Sequence, residues 1–299
     1  MKYTTLGKTG QNVSRLAVGG YPFSGVNKAQ GWDPYSKQGR ADAIGVVHAA
    51  LDSGINYVDT APAYGSGHSE SIIGDALQGR RSQCLVATKV TWPDSWAGIG
   101  KEGVIRGVED SLARLKMEYV DVIQFHGGVF SHEDSQAILN SGPMEALQTL
   151  REQGKVRWLG ITTEDACSIL ELIDTDLFDV IQINYNLIYQ NAALHLLDRA
   201  AEKQLGVAVM RPMTSGILQR TLEHLAPGLL ASEDIYALCL KFLLSDSRVH
   251  MLNVGARWPE EVERNVRLLD EFVPEFDIAD LPRFTGKIYE SDDRRNGLL

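Results

Sequence analysis

From about residue 40 the chain alternates two textures: short apolar runs rich in Val and Ile, and longer segments with apolar residues at three- and four-residue steps. The runs predict eight strands, at 14–20, 55–59, 84–90, 120–126, 156–162, 178–184, 206–211 and 250–255. The periodic segments predict helices near 41–53, 69–78, 102–117, 142–153, 165–174, 191–204, 233–245 and 259–271. The third shows the logic: Val104, Ile105, Val108, Leu112 and Leu115 form one apolar stripe. Gly54, Gly154 and Gly206 stand where left-handed caps would end a helix before the next strand.

Strands apolar on both faces, each followed by a helix, predict an α/β fold with a parallel sheet covered by helices. An open doubly wound sheet and a closed (β/α)8 barrel of the TIM type both satisfy that order. The count of eight favours the barrel, as do polar residues at the carboxyl ends of several strands, where such barrels build their sites. With no linker, low-complexity tract or short repeat, residues 1–299 read as a single domain. Residues 1–13 predict a short N-terminal hairpin over the barrel's amino end, and the tail, 272–299, is expected on the surface.

Composition narrows the function. The net charge of −10 argues against bulk binding to nucleic acid, which needs concentrated Lys and Arg, although a local cationic pocket stays open. No apolar stretch is long enough to span a membrane and the first residues lack an apolar leader core, so cytoplasmic residence is expected. Cys84, Cys167 and Cys239 are far apart, which suggests core thiols rather than disulfides or thiolate metal sites. His48, His68, His132, His195, His224 and His250 show no ligand spacing, and no metal is expected. Two nucleotide motifs fail on inspection. "LGKTG" at 6–10 would need a glycine where Lys2 stands, and "GSGHSE" at 65–70 has Glu70 in place of the third glycine.

Four polar residues remain at strand ends: Asp59, Tyr64 in the loop just beyond it, Lys89 and His126. Each alone is unremarkable, as a cap, a loop packer, a solvated charge or a core histidine. In a barrel all four project into one mouth. A phenol is a poor acid and base near neutral pH. An ammonium about 4 Å away favours its ionised form by roughly 4 kcal/mol at an effective dielectric of about 20. A lysine buried alone would discharge, so it needs a carboxylate partner, which Asp59 supplies. His126 can donate a hydrogen bond to a carbonyl oxygen. The set therefore predicts proton transfer at a carbonyl or alcohol.

The motifs "GINYVDTAPAYGSGHSE" (54–70), "ATKV" (87–90), "YVDVIQFH" (119–126), "GKVRWLGIT" (154–162), "QINYN" (182–186) and "VGARWPEEVERN" (254–265) together resemble the aldo-keto reductase family over nearly the whole chain. The resemblance implies a nicotinamide dinucleotide held without the Rossmann glycine motif, and a catalytic tetrad of Asp59, Tyr64, Lys89 and His126. It further implies that Thr162, Thr163 and Gln182 hold the nicotinamide carboxamide, Thr163 being a departure from the more usual asparagine. Met210 takes the place of a tyrosine that covers the ring in many relatives. The loop "RPMTSGIL" (211–218), with Arg211, Pro212, Gly216 and Leu218, would wrap the pyrophosphate. Gly20, Tyr21, Asp59, Gly255 and Asn265 complete the implied cofactor contacts. Arg257 stands where the family meets an adenosine 2′-phosphate, whereas a carboxylate at Glu261 would repel phosphate. NADP(H) is favoured and NAD(H) stays possible.

Substrate walls are expected from the loops at 20–35, 91–96 and 127–132 and from the tail, with Tyr21, Phe23, Tyr64, Trp92, Trp96 and His126 as candidates. Their chemistry fits a sugar, a sterol or an aromatic ring. The main expectation is a carbonyl reductase or alcohol dehydrogenase acting on an aldehyde, ketone or aldose, with oxidation of aldoses as one direction. A cofactor-binding regulatory subunit and a Schiff-base enzyme using Lys89 are the alternatives.

Overall fold

The computed structural model describes residues 1–91, 93–226, 228 and 234–280. Trp92 and the tail from 281 onward, both named above, lie outside the described residues. The chain opens with an antiparallel pair, β1 (Tyr3–Thr5) and β2 (Asn12–Ser14), which is the expected N-terminal hairpin. Eight parallel strands follow and close into a barrel. They are β3 (Leu16–Gly19), β4 (Tyr57–Asp59), β5 (Leu85–Lys89), β6 (Val120–His126), β7 (Val156–Thr163), β8 (Val180–Asn184), β9 (Gly206–Met210) and β10 (Met251–Gly255). Neighbours in sequence are neighbours in the sheet, and β10 returns to pair with β3. The closed barrel is thus the correct choice over the open sheet.

The helices follow the apolar periodicity. They are α1 (Lys37–Asp52), α2 (His68–Ala76), α3 (Trp96–Leu115), α4 (His132–Asn140), α5 (Pro143–Glu152), α6 (Leu170–Ile173), α7 (Asn191–His195), α8 (Leu197–Glu202), α9 (Ile217–Leu225), α10 (Ile235–Leu244) and α11 (Pro259–Glu271). Two of these, among the described residues, lie outside the expected set. α4 is announced by a capping box in which Ser131 and Asp134 satisfy each other's backbone N–H groups. α9 carries Ile217, Leu218, Leu222 and Leu225 at helical spacing directly after the 211–216 loop. The helix expected at 191–204 is broken at Leu196, and that at 165–174 begins as a 3-10 turn.

Gly54 and Gly154 do adopt left-handed backbone, with φ of 85° and 74°. Gly206 does not: the left-handed residue there is Gln204, and Gly206 already belongs to β9. Its role is steric. A Cβ at Gly206 would sit 2.6 Å from Leu6 Cδ1, so the missing side chain makes room for Leu6. Leu6 and Val13 come from the hairpin and are fully buried, together with Ala17, Tyr57, Ala87, Val122, Val180, Ala208 and Met251. The hairpin therefore plugs the amino end, and these residues fill the barrel's lower interior. The larger core lies between the strands and the surrounding helices.

Side chains two apart on a strand face the same way. One step above Tyr57, Ala87, Val122 and Val180 come Asp59, Lys89, Gln124 and Gln182, all buried. The barrel interior thus changes from apolar to polar over one repeat of the pleat.

The Leu6 plug gives a test of the fold. Gly206→Ala should overpack this end and destabilise the protein by about 1–3 kcal/mol, read as a lower midpoint in urea unfolding. Trimming Leu6 to Ala in the same chain should recover part of that loss.

Candidate active site

Asp59 ends β4 and Lys89 ends β5, and each is only 1% exposed. The Lys89 ammonium donates to both Asp59 oxygens, at 2.9 and 2.8 Å, and to the Thr60 carbonyl at 2.7 Å. Gln124 Nε2 donates to Asp59 Oδ1 at 3.1 Å and Gln182 Nε2 to Oδ2 at 3.4 Å. Asn253 of β10 in turn donates to Gln182 Oε1 at 3.4 Å. A buried carboxylate thus faces one ammonium and two amide donors.

Tyr64 sits half-buried in the loop after β4. Its position is fixed by backbone: its N–H donates to Ala61 O, its carbonyl accepts from Ser69 N–H, and Gly65, Ser66 and Gly67 then run in left-handed conformation. Two glycines in three make that run accessible. Lys89 Nζ lies 4.7 Å from the Tyr64 ring centroid. His126, at the end of β6, meets the same ring edge-on at 5.9 Å, and Tyr21 does so at 5.2 Å. The four residues singled out at the strand ends therefore converge on one rim.

Their protonation follows from this packing. Burial pushes the Tyr64 phenol up, Lys89 pulls it down and Asp59 pushes it up again, so the net direction is upward. This differs from the downward tuning expected of Lys89 alone, because desolvation outweighs one cation. For Lys89 burial acts downward, yet Asp59 and Tyr64 outweigh it and raise its value. Burial, helped by the Lys89 charge, pushes His126 down to about 3. The rim holds a protonated phenol, a charged ammonium and a neutral imidazole near pH 7. That set can give a proton to an oxygen atom and support it with a second donor.

The remaining expected residues divide. Gly20 donates its N–H to Asp59 O at 2.8 Å, and Tyr21 beside it is 54% exposed at the mouth. Thr162 pairs with His126 across the strands and its hydroxyl lies 3.9 Å from Met210 Sδ. Thr163 is different. Its hydroxyl is engaged by Gly128 O, Asp165 O and Ser168 Oγ and is buried away from the rim, so it is not presented to a ligand. Phe23 is likewise no wall: it is 0% exposed and packs against Trp32, since it falls on the inward side of a 3-10 turn. Trp96 is also buried, against Phe125 and Phe130.

In the 211–218 loop, Arg211, Thr214 and Ser215 are left-handed, Pro212 is buried, Gly216 precedes α9, and Leu218 N–H donates to Thr214 Oγ1 at 3.1 Å. Arg211 pairs with Glu164 at 2.6 Å, and Asn184 also donates to that carboxylate. Glu164 and Gln124 were not among the expected site residues. On β10, Gly255 pairs with Gly19 of β3. Arg257 is bonded to Glu261 through its guanidinium at 3.1 Å and its backbone N–H at 2.7 Å. Asn265 lines an apolar crevice with Val254, Ala256 and Val262. Among the described residues no group of three His, Cys, Asp or Glu side chains could hold a metal, and no helix is long and apolar enough to cross a membrane.

The His126 shift has a pH consequence. Its folded value lies below the ordinary 6.5, so an unfolded chain binds this proton before the native one does. The resulting stability is intact above about pH 6.5 and is lost as pH falls toward 3. The His126 ring resonance in NMR, assigned with His126→Asn, should show no titration between pH 8 and about 4; a midpoint near 6.5 would contradict the burial argument.

Comparison with known proteins agrees with this geometry. A sequence model of the aldo/keto reductase family matches residues 16–287. The L-galactose dehydrogenase of Arabidopsis thaliana is 29% identical over 290 residues, spanning 89% of this chain and 87% of that one. The NADH-specific methylglyoxal reductase of Escherichia coli is 26% identical, spanning 90% and 94%. Among solved structures, an aldo-keto reductase from Bacillus halodurans in its holo form superposes with a TM-score of 0.75 at 26% identity, covering 92% of each chain. Motifs, barrel and family match coincide over nearly the same residues, and the chain belongs to the aldo/keto reductase family.

Proposed function

We propose that this protein transfers hydride between a nicotinamide dinucleotide and a carbonyl or alcohol substrate, with Tyr64 giving or taking the proton. The observation that carries the reading is the buried Asp59–Lys89 pair set against the Tyr64 ring. The donor set fits the dinucleotide: a buried amide at Gln182, a hydroxyl at Thr162, the left-handed loop at Arg211–Gly216 and the Arg257 guanidinium. When bound, the nicotinamide supplies or accepts the hydride. For reduction, Tyr64 delivers its proton to the substrate oxygen while neutral His126 donates a hydrogen bond to the same atom. Lys89 stabilises the phenolate left behind, and Asp59 fixes the ammonium where that charge develops. Oxidation runs the same proton in reverse.

The substrate is a small aldehyde, ketone or aldose. The names of the Arabidopsis and E. coli relatives put L-galactose and methylglyoxal in a first panel, each assayed with both dinucleotides. Tyr64→Phe should lower kcat about 10²- to 10⁴-fold and leave dinucleotide Kd within about twofold; full activity would end the proposal. Binding of dinucleotide with no turnover by the unaltered protein across such a panel would point to a regulatory subunit.

On the adenosine side, Arg257 can pair with a 2′-phosphate only in competition with Glu261. NADP(H) is favoured in this reading by a small margin, with NAD(H) usable. Glu261→Gln frees the guanidinium and should tighten NADP(H) relative to NAD(H) by roughly threefold, the scale of a partly exposed ion pair. Unchanged relative dissociation constants, measured by fluorescence titration, would remove Arg257 and Glu261 from cofactor selection.

A further inference from the structure

We infer that Gln124 is a positioning residue for the proposed reaction: its amide holds the Asp59 carboxylate square to Lys89 and thereby sets the proton affinity of Tyr64. Gln124 lies on β6 opposite Lys89 of β5 and opposite Gly160 of β7, and it is fully buried. Its Nε2 bond to Asp59 Oδ1, at 3.1 Å, is shorter than the 3.4 Å bond from Gln182 to the other oxygen. The amide cannot be reversed, because a carboxylate only accepts and must be met by the NH₂ end. Gly160 helps to place it: a Cβ there would come within 2.9 Å of Gln124 Cγ.

The cost of this arrangement is visible. Gln124 Oε1 is buried and meets no donor among the described residues. Burying an amide with half of its bonding unmet is unfavourable, whereas an apolar side chain of the same shape would carry no such penalty. A methionine would suit a purely structural position at least as well. The glutamine is explained by what its N–H does at Asp59.

That bond acts on Tyr64 in two ways. It stops the carboxylate from turning about its own bond, which keeps Lys89 at its place over the phenol ring. It also directs the positive end of an N–H dipole at Asp59 and so weakens the negative field that the carboxylate projects toward Tyr64. The charged and titratable groups facing Tyr64 are Asp59 from β4, Lys89 from β5, His126 from β6 and Tyr21 from the loop after β3. Gln124 itself carries no charge, stands beside Lys89 in the strand register, and hydrogen-bonds Asp59.

The test is Gln124→Met, assayed on methylglyoxal reduction and L-galactose oxidation beside the unaltered chain and Tyr64→Phe. Removing the dipole leaves Tyr64 with a higher proton affinity, so the Tyr64 limb of the kcat profile should move up by about half to one pH unit in either direction of reaction. At neutral pH kcat should fall about three- to tenfold, which corresponds to about 0.7–1.4 kcal/mol. Dinucleotide Kd and the urea midpoint should be unchanged or, for the midpoint, slightly raised. A profile that overlays the unaltered one, or a loss of kcat matched by a loss of folding stability with no shift of the limb, would overturn the inference. This inference rests on the reading of Tyr64 as the proton carrier, and the two fail separately. An active Tyr64→Phe sinks that reading, whereas an inactive Tyr64→Phe with an unshifted Gln124→Met sinks only the role of Gln124.

Discussion

The site depends on one buried ion pair. Removing an ammonium and a carboxylate from water is expensive, and their attraction repays the cost only if the remaining donors and acceptors are met. Here they are: Lys89 donates to both Asp59 oxygens and to Thr60 O, and Asp59 receives two amide N–H groups besides. A pair so tied has a single geometry. Tyr64 and His126 inherit that geometry, the first through the ring beside Lys89, the second through the same cation, which helps to keep its imidazole neutral.

The barrel makes such a pair possible by separating polar from apolar layers along each strand. Tyr57, Ala87, Val122 and Val180 form a dry floor with Leu6 and Val13 of the hairpin beneath them. Two residues further on, the same strands present Asp59, Lys89, Gln124 and Gln182. The dry floor removes competing solvent from below, and the amide collar supplies the fixed dipoles that water would otherwise give. Low dielectric and preorganised donors are the two conditions under which a proton-transfer site is effective.

A second regularity appears at the outer mouth. Arg211 and Arg257, the two cations proposed to meet a dinucleotide, each already hold a carboxylate, Glu164 and Glu261. In a chain of net charge −10 these pairs prevent isolated cations from standing in the site. They also mean that an anionic ligand must compete for each guanidinium, so affinity there is a difference between two ion pairs.

The sequence by itself determined the eight strands, the order of most helices, the plugging hairpin and the four polar residues that meet at the barrel mouth. These rest on local periodicity and on residue type at strand ends, which survive without knowledge of distant contacts. α4 and α9 were not among the predicted helices, although the Ser131 and Asp134 capping signature and the apolar spacing of 217–225 carry their signal. Only the tertiary structure decided that Phe23 is core, that the Thr163 hydroxyl is taken up by Gly128 O and its own loop, and that Gly206 is small because Leu6 lies against it. Only it brought Gln124 and Asn253 into the collar around Asp59. Those partners are 65 and 194 residues from Asp59 along the chain. No local pattern records a meeting that barrel closure alone brings about.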